Sequence, residues 1–147
     1  MNADNYIKQY SLYIQEEHVT TGINKVTNGL LIVEDSPLIV KSMIELLEDV
    51  AGIAFIESCG TYSEAISLLS TYNPAVVLLD INLPDKNGIV LLKYIKTFYP
   101  ETTVIIVTNQ NEDFYKNICL EIGAHCFLDK SNDFEKLPPL VATVVQR

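Results

Sequence analysis

The chain has 147 residues, 48% hydrophobic and 20% charged, with a formal net charge of -9 and a pI near 4.5. That composition belongs to one folded domain rather than a disordered segment, and the acidic balance argues against a nucleic-acid surface, which needs clustered Lys and Arg. No apolar run approaches the ~18 residues of a membrane span and the polar N-terminus is no signal peptide; three cysteines without paired spacing (Cys59, Cys119, Cys126) suit free thiols in a reducing cytoplasm.

Residues 1–28 stand apart as an N-terminal extension, with two readings open: a tail that frays or packs loosely on the domain, or a helix plus linker. Tyr6, Tyr10, Tyr13 and Ile14 fit one helical face, which offers a docking or dimerisation element, and "HVTTGINKVTNG" has the composition of a linker. Five β-rich segments follow: "LLIVE" (30–34), "IAFIES" (53–58), "AVVLLD" (75–80), "TVIIVT" (103–108) and "HCFLDK" (125–130). They are apolar runs rather than strict alternations, the pattern of strands covered on both faces.

Helical signals lie between them. Ser36-Pro37 supplies an N-cap with proline at the first helical position, ahead of Val40, Ile44 and Leu47. "TYSE" (61–64) is a capping box, in which Thr61 and Glu64 satisfy each other's backbone donors. Leu91, Ile95 and Phe98 form an apolar stripe after Gly88, closed by Pro100. Phe114, Ile118 and Ile122 form another that ends at Gly123, and a last helix starts near Pro138 with Leu140, Val141, Val144 and Val145 on its buried side. Five alternations of strand and helix predict an α/β fold, a parallel sheet with helices on both faces and right-handed crossovers. In such sheets ligands bind beyond the carboxyl ends of the strands.

Those ends carry a chemically coherent set. The first strand delivers Glu34 and Asp35, the third Asp80, the fourth Thr108 and the fifth Lys130. Each alone is what a solvated strand end or an ordinary β-former supplies. Together they fall on one edge of one sheet. Three close carboxylates repel one another, and a hard divalent cation with oxygen ligands, Mg²⁺ (or Mn²⁺), relieves that repulsion. A lysine and a hydroxyl beside them provide a point charge and a donor for a phosphoryl group, so the set suits phosphoryl transfer onto a carboxylate. The chain has no Gly-rich phosphate loop, no Cys/His metal spacing and no GxSxG elbow, and His18 and His125 are isolated.

"LLIVEDSPLI", "VVLLDINLPDKNG", "VIIVTN" and "GAHCFLDKS" resemble the signature blocks of the receiver domain of two-component response regulators, over residues 29–147. The resemblance implies a (βα)₅, flavodoxin-like, doubly wound fold with strand order 2-1-3-4-5, as in the chemotaxis receiver. It implies Asp80 as phospho-acceptor and Glu34, Asp35, Asp80 and the Asn82 backbone carbonyl as the Mg²⁺ set. Lys130 is implied as the phosphoryl contact, Thr108 as the hydroxyl that moves to the phosphoryl group, and Phe127 as the aromatic switch. Asn82, Asn109 and Gln110 occupy positions that tune hydrolysis. Asn109 stands where the family usually has a small residue, and Ser131 where proline commonly follows the lysine.

The expectation is a cytoplasmic, stand-alone phosphorylation switch with no output domain in this chain, which catalyses only its own phosphorylation and dephosphorylation. Its implied partners are a histidine kinase or histidine phosphotransfer protein, and a downstream protein at the face of the fourth helix, fifth strand and fifth helix. Homodimerisation fits this scheme; direct nucleic-acid contact and membrane insertion do not. Two alternatives remain: a receiver fragment of a longer transcription regulator, and a Mg²⁺-dependent aspartyl-phosphate phosphohydrolase. The latter typically carries a second carboxylate two residues after its nucleophile, where this chain has Asn82.

Overall fold

A computed structural model describes residues 26–147; the N-terminal helix expected around Tyr6 to Ile14 lies outside the described residues. Five parallel strands, β1 (Gly29–Val33), β2 (Phe55–Cys59), β3 (Val76–Leu79), β4 (Thr103–Thr108) and β5 (Cys126–Asp129), form one sheet in the order β2-β1-β3-β4-β5. The helices between and after them are α1 (Pro37–Leu47), α2 (Tyr62–Tyr72), α3 (Gly88–Phe98), α4 (Asp113–Ile122) and α5 (Leu137–Val145), the last preceded by a 3₁₀ turn over Phe134–Lys136. The expected (βα)₅ order is what the molecule has.

Alternation along the strands separates two apolar layers. Leu31, Val33, Val77, Leu79, Val104 and Ile106 pack with α2, α3 and α4 through Leu69, Leu91, Ile95 and Cys119. Leu30, Ile32, Val76, Leu78, Ile105 and Val107 pack on the other side with Met43 and Leu47 of α1 and Leu137, Val141 and Val145 of α5. The end of the expected linker is already part of this body. Thr27 donates from its hydroxyl to the carbonyls of Tyr72 (2.9 Å) and Asn73 (3.1 Å), and Val26 packs against the second layer.

Local signals account for most helix ends. Ser36 Oγ accepts from Ile39 N (3.4 Å) with Pro37 in the first turn, as expected. At α2, Thr61 Oγ1 accepts from Glu64 N (3.1 Å), but the return bond differs from the expected box: Glu64 Oε1 accepts from the Thr61 hydroxyl (2.9 Å). The two remaining donors of that turn, Tyr62 N and Ser63 N, go to the Asp85 carboxylate at 2.8 and 3.1 Å.

Two stripes need correction. On α4 the residue fully buried is Cys119, Ile118 and Ile122 are half-buried, and Phe114 is 67% exposed. The apolar spacing was real, but α4 is rotated so that Cys119 meets the sheet. On α5 the buried set gains Leu137 and leaves Leu140 half-buried.

Candidate functional site

All the strand-end residues singled out above meet at the carboxyl edge of β1, β3, β4 and β5. β1 pairs with the central strand β3, so Glu34 and Asp35 emerge beside Asp80; Asp80 N donates to Val33 O (3.0 Å) and Glu34 N to Cys59 O (2.9 Å). Glu34, Asp80 and Thr108 are 3%, 4% and 0% exposed, whereas Asp35 faces solvent. Burying two carboxylates side by side is costly unless each is paired.

The pairing comes mainly from Lys130. Its Nζ lies 2.7 Å from Asp80 Oδ2, and 2.9 and 2.8 Å from Glu34 Oε1 and Oε2. The other Asp80 oxygen, Oδ1, accepts from the Thr108 hydroxyl (2.9 Å) and from Asn82 N (3.1 Å). Gln110 N in turn donates to Thr108 Oγ1 (3.3 Å). Thr108 is thus already turned toward Asp80 rather than waiting at a distance. Phe127 is half-buried against the α2–α4 layer, while Asn82 and Asn109 are exposed and Gln110 is half-exposed.

Electrostatics mark the pocket as incompletely compensated. Burial pushes the Glu34 carboxyl up to about 7, and the neighbouring Asp80 adds to the rise against the opposing pull of Lys130. Burial would lower the Lys130 ammonium, but its bonds to Asp80 and Glu34 outweigh that and hold it above its ordinary value. Glu34 Oε2 is buried yet accepts no hydrogen bond of good geometry. One oxygen each from Glu34, Asp35 and Asp80 lies within 4.8 Å of the others. An all-oxygen donor set, excess negative charge and an unsatisfied buried oxygen fit a hard divalent cation such as Mg²⁺.

The turn after Asp80 is held by close backbone approach. Gly88 N donates to Ile81 O (2.6 Å), and a Cβ on Gly88 would overlap the Asp80 carbonyl oxygen. Further carboxylates and amides outside the strand-end set support this edge. Asp85 caps α2; burial pulls its carboxyl upward, but the N–H groups of Tyr62 and Ser63, with the Ser63 hydroxyl, together hold it below its ordinary value. Asp129 Oδ1 accepts from Ser131 N (2.8 Å), its Oδ2 accepts from Asn111 Nδ2 (3.1 Å), and its own N–H donates to Asp133 Oδ2 (2.9 Å). Asp85 had no local signal, since it caps a helix that starts 23 residues earlier. "DKSND" did carry one: an Asp two residues before a Ser reads as an Asx-turn.

The described residues thus form a five-stranded parallel α/β sheet whose carboxyl edge carries an acidic cluster, a lysine and a hydroxyl. The family model for the response regulator receiver domain matches residues 30–142, and the chain belongs to that family. It is 30% identical over 109 residues to the Fimbriae Z protein of Salmonella typhimurium, covering 74% of this chain and 52% of that protein. It is 28% identical to the DNA-binding transcriptional activator EvgA of Escherichia coli, covering 73% and 52%. The chain therefore spans about half the length of the curated relatives it matches. Among solved structures it superposes with a TM-score of 0.76 and 25% identity on the signal receiver domain of a DNA-binding response regulator from Colwellia psychrerythraea, covering 81% of this chain and 98% of that one. The receiver domain of a LuxO repressor protein from Vibrio parahaemolyticus gives 0.75 and 27%, covering 83% and 92%. Among the described residues no helix is long and apolar enough to cross a membrane.

Proposed function

We propose that this receiver is a phosphorylation switch whose acceptor is Asp80. The observation that carries the reading is the Asp80 carboxylate itself. It is buried at the strand edge with one oxygen on Thr108 and Asn82 N and the other on Lys130, beside two further carboxylates.

In this scheme an Asp80 oxygen attacks the phosphorus of a phosphohistidine on a histidine kinase or phosphotransfer protein. The P–N bond breaks and its electrons leave with the imidazole. Glu34, Asp35, Asp80 and the Asn82 carbonyl would hold Mg²⁺, which when bound neutralises the carboxylates and the charge on the transferred group. Lys130 keeps its charge beside Asp80 and contacts the incoming phosphoryl oxygens. The Thr108 hydroxyl, now donating to Asp80 Oδ1, transfers its hydrogen bond to the phosphoryl group. That exchange, with Phe127 on β5 and Lys130 directly after its end, biases the α4-β5-α5 face toward a second arrangement. Phe114, 67% exposed, and Leu120, 40% exposed, give α4 apolar contact area for a downstream protein. Asn82, Asn109 and Gln110 adjoin Asp80 and Thr108 in the chain and set the lifetime of the phosphate through the access they leave to water.

The test is exposure to Mg²⁺ and a small acyl phosphate followed by intact mass. Wild type gains one phosphoryl group and Asp80→Asn gains none; an unmodified wild type, or a modified Asp80→Asn, contradicts the reading. Comparative pull-downs with phosphorylated and unphosphorylated protein then find partners that distinguish the two states. The length of the relatives favours a second reading of the output, in which this receiver is part of a longer DNA-binding regulator. The mass of the native protein decides between a partner protein and an attached domain.

A further inference from the structure

Two loops leave the carboxyl edge side by side. Strand pairing puts Thr108 opposite Asp129, and Lys130 N donates to Thr108 O (3.1 Å). From there the β4–α4 loop carries Gln110 and Asn111, and the β5–α5 loop carries Lys130 and Ser131. Each loop sends one arm to Asp80. On the first arm, Gln110 N holds Thr108 Oγ1, which donates to Asp80 Oδ1. On the second, Lys130 Nζ reaches Asp80 Oδ2.

Asp129 joins the arms. Its Oδ1 accepts from Ser131 N (2.8 Å), which fixes the backbone directly after Lys130. Its Oδ2 accepts from Asn111 Nδ2 (3.1 Å), which fixes the backbone directly after Gln110, and from Asn132 Nδ2 (3.3 Å). The Asp129 side-chain bonds add to the backbone bonds from Asn132 N (3.3 Å) and Asp133 N (3.0 Å) to Asp129 O that close this turn.

We infer that Asp129 and Asn111 are positioning residues for phosphoryl transfer: their side-chain bond ties the two loops so that the Thr108 hydroxyl and the Lys130 ammonium address Asp80 together. Neither touches Asp80. They act through Gln110 N and the Lys130 backbone. Hydrogen bonds of this kind matter for rate when they keep reacting groups aligned, because small misplacements are costly in the transition state. The inference rests on Asp80 being the acceptor.

The experiment is a double-substitution cycle on the rate of Asp80 phosphorylation by a small acyl phosphate at saturating Mg²⁺. Asn111→Ala and Asp129→Ala are each expected to lower the maximal rate constant about three- to tenfold. The double variant falls no further than Asp129→Ala, because both remove one connection. Asp129→Asn recovers most of the rate, since its oxygen can still accept from Ser131 N and its amide can pair with a flipped Asn111. Mg²⁺ affinity and Tm stay near wild type for Asn111→Ala, which is exposed and leaves the Asx-turn intact. Additive losses, an unchanged rate in Asn111→Ala, or a fall in Mg²⁺ affinity matching the fall in rate overturns the inference. A wild-type protein that takes no phosphate at Asp80 instead overturns the acceptor reading on which it rests.

Discussion

Two carboxylates five residues apart, Asp80 and Asp85, lie on the same β3–α3 connection and live under opposite electrostatics. Asp80 is buried with Glu34 against it and shares one ammonium with it; Glu34 is pushed up to about 7 by burial. Asp85 sits at the exposed end of α2, where backbone N–H groups hold its carboxyl below the ordinary value. The second arrangement is finished: an anion at a helix N-terminus with its donors in place. The first is not, because two buried acids share one Lys, and Glu34 Oε2 has that ammonium at 2.8 Å but no hydrogen bond of good geometry. Under the proposed function, the stabilising carboxylate and the reactive one differ in how much compensation remains to be supplied from outside.

The largest effect expected is from Lys130→Ala. Glu34 and Asp80 would then face each other buried and unpaired, lowering metal-free stability by about 3–4 kcal/mol in denaturant unfolding, with much of the loss recovered by Mg²⁺. Full retention of stability without metal would erase the contrast. Gly88→Ala comes next, at about 2–3 kcal/mol, because the new methyl meets the Asp80 and Ile81 backbone. Asp85→Ala should cost about 1 kcal/mol by removing the cap from Tyr62 N and Ser63 N, while phosphorylation proceeds at the wild-type rate. A large loss of phosphorylation in Asp85→Ala would place the cap in the chemistry and blur the division.

The smallest effect sharpens the comparison through pH. A raised carboxyl contributes stability that is fully present below its unfolded value and is lost as pH rises through its folded one. For Glu34 that window runs from 4.5 to about 7. Metal-free wild type should therefore lose Tm relative to Glu34→Gln across that window. Asp85 has the opposite sign, its contribution being lost only as pH falls below the ordinary 3.8. A flat difference between wild type and Glu34→Gln contradicts the burial argument.

Much of this was legible in the chain because strand runs of this kind are long, apolar and bounded. "LLIVED" and "AVVLLD" announce both the strands and the acids at their ends, and Ser36-Pro37 announces α1. Strand order came from the family resemblance, since periodicity says nothing about neighbours. The signal failed at α4, where Phe114, Ile118 and Ile122 keep helical spacing yet the small Cys119 takes the buried place. Spacing finds a stripe, but the depth available against the sheet chooses which stripe is used. Asp85 was illegible for a related reason: it caps a helix distant in sequence, and only the fold brings them together.

The central claim is that the unfinished edge, and not the finished one, takes the phosphoryl group. Peptide mapping after acyl-phosphate treatment, with and without Mg²⁺, tests it most directly. The account predicts phosphate on the peptide containing residues 75–88, localised to Asp80 and formed only with the cation. Phosphate on Asp85, on another peptide, or formed equally without Mg²⁺ would contradict it.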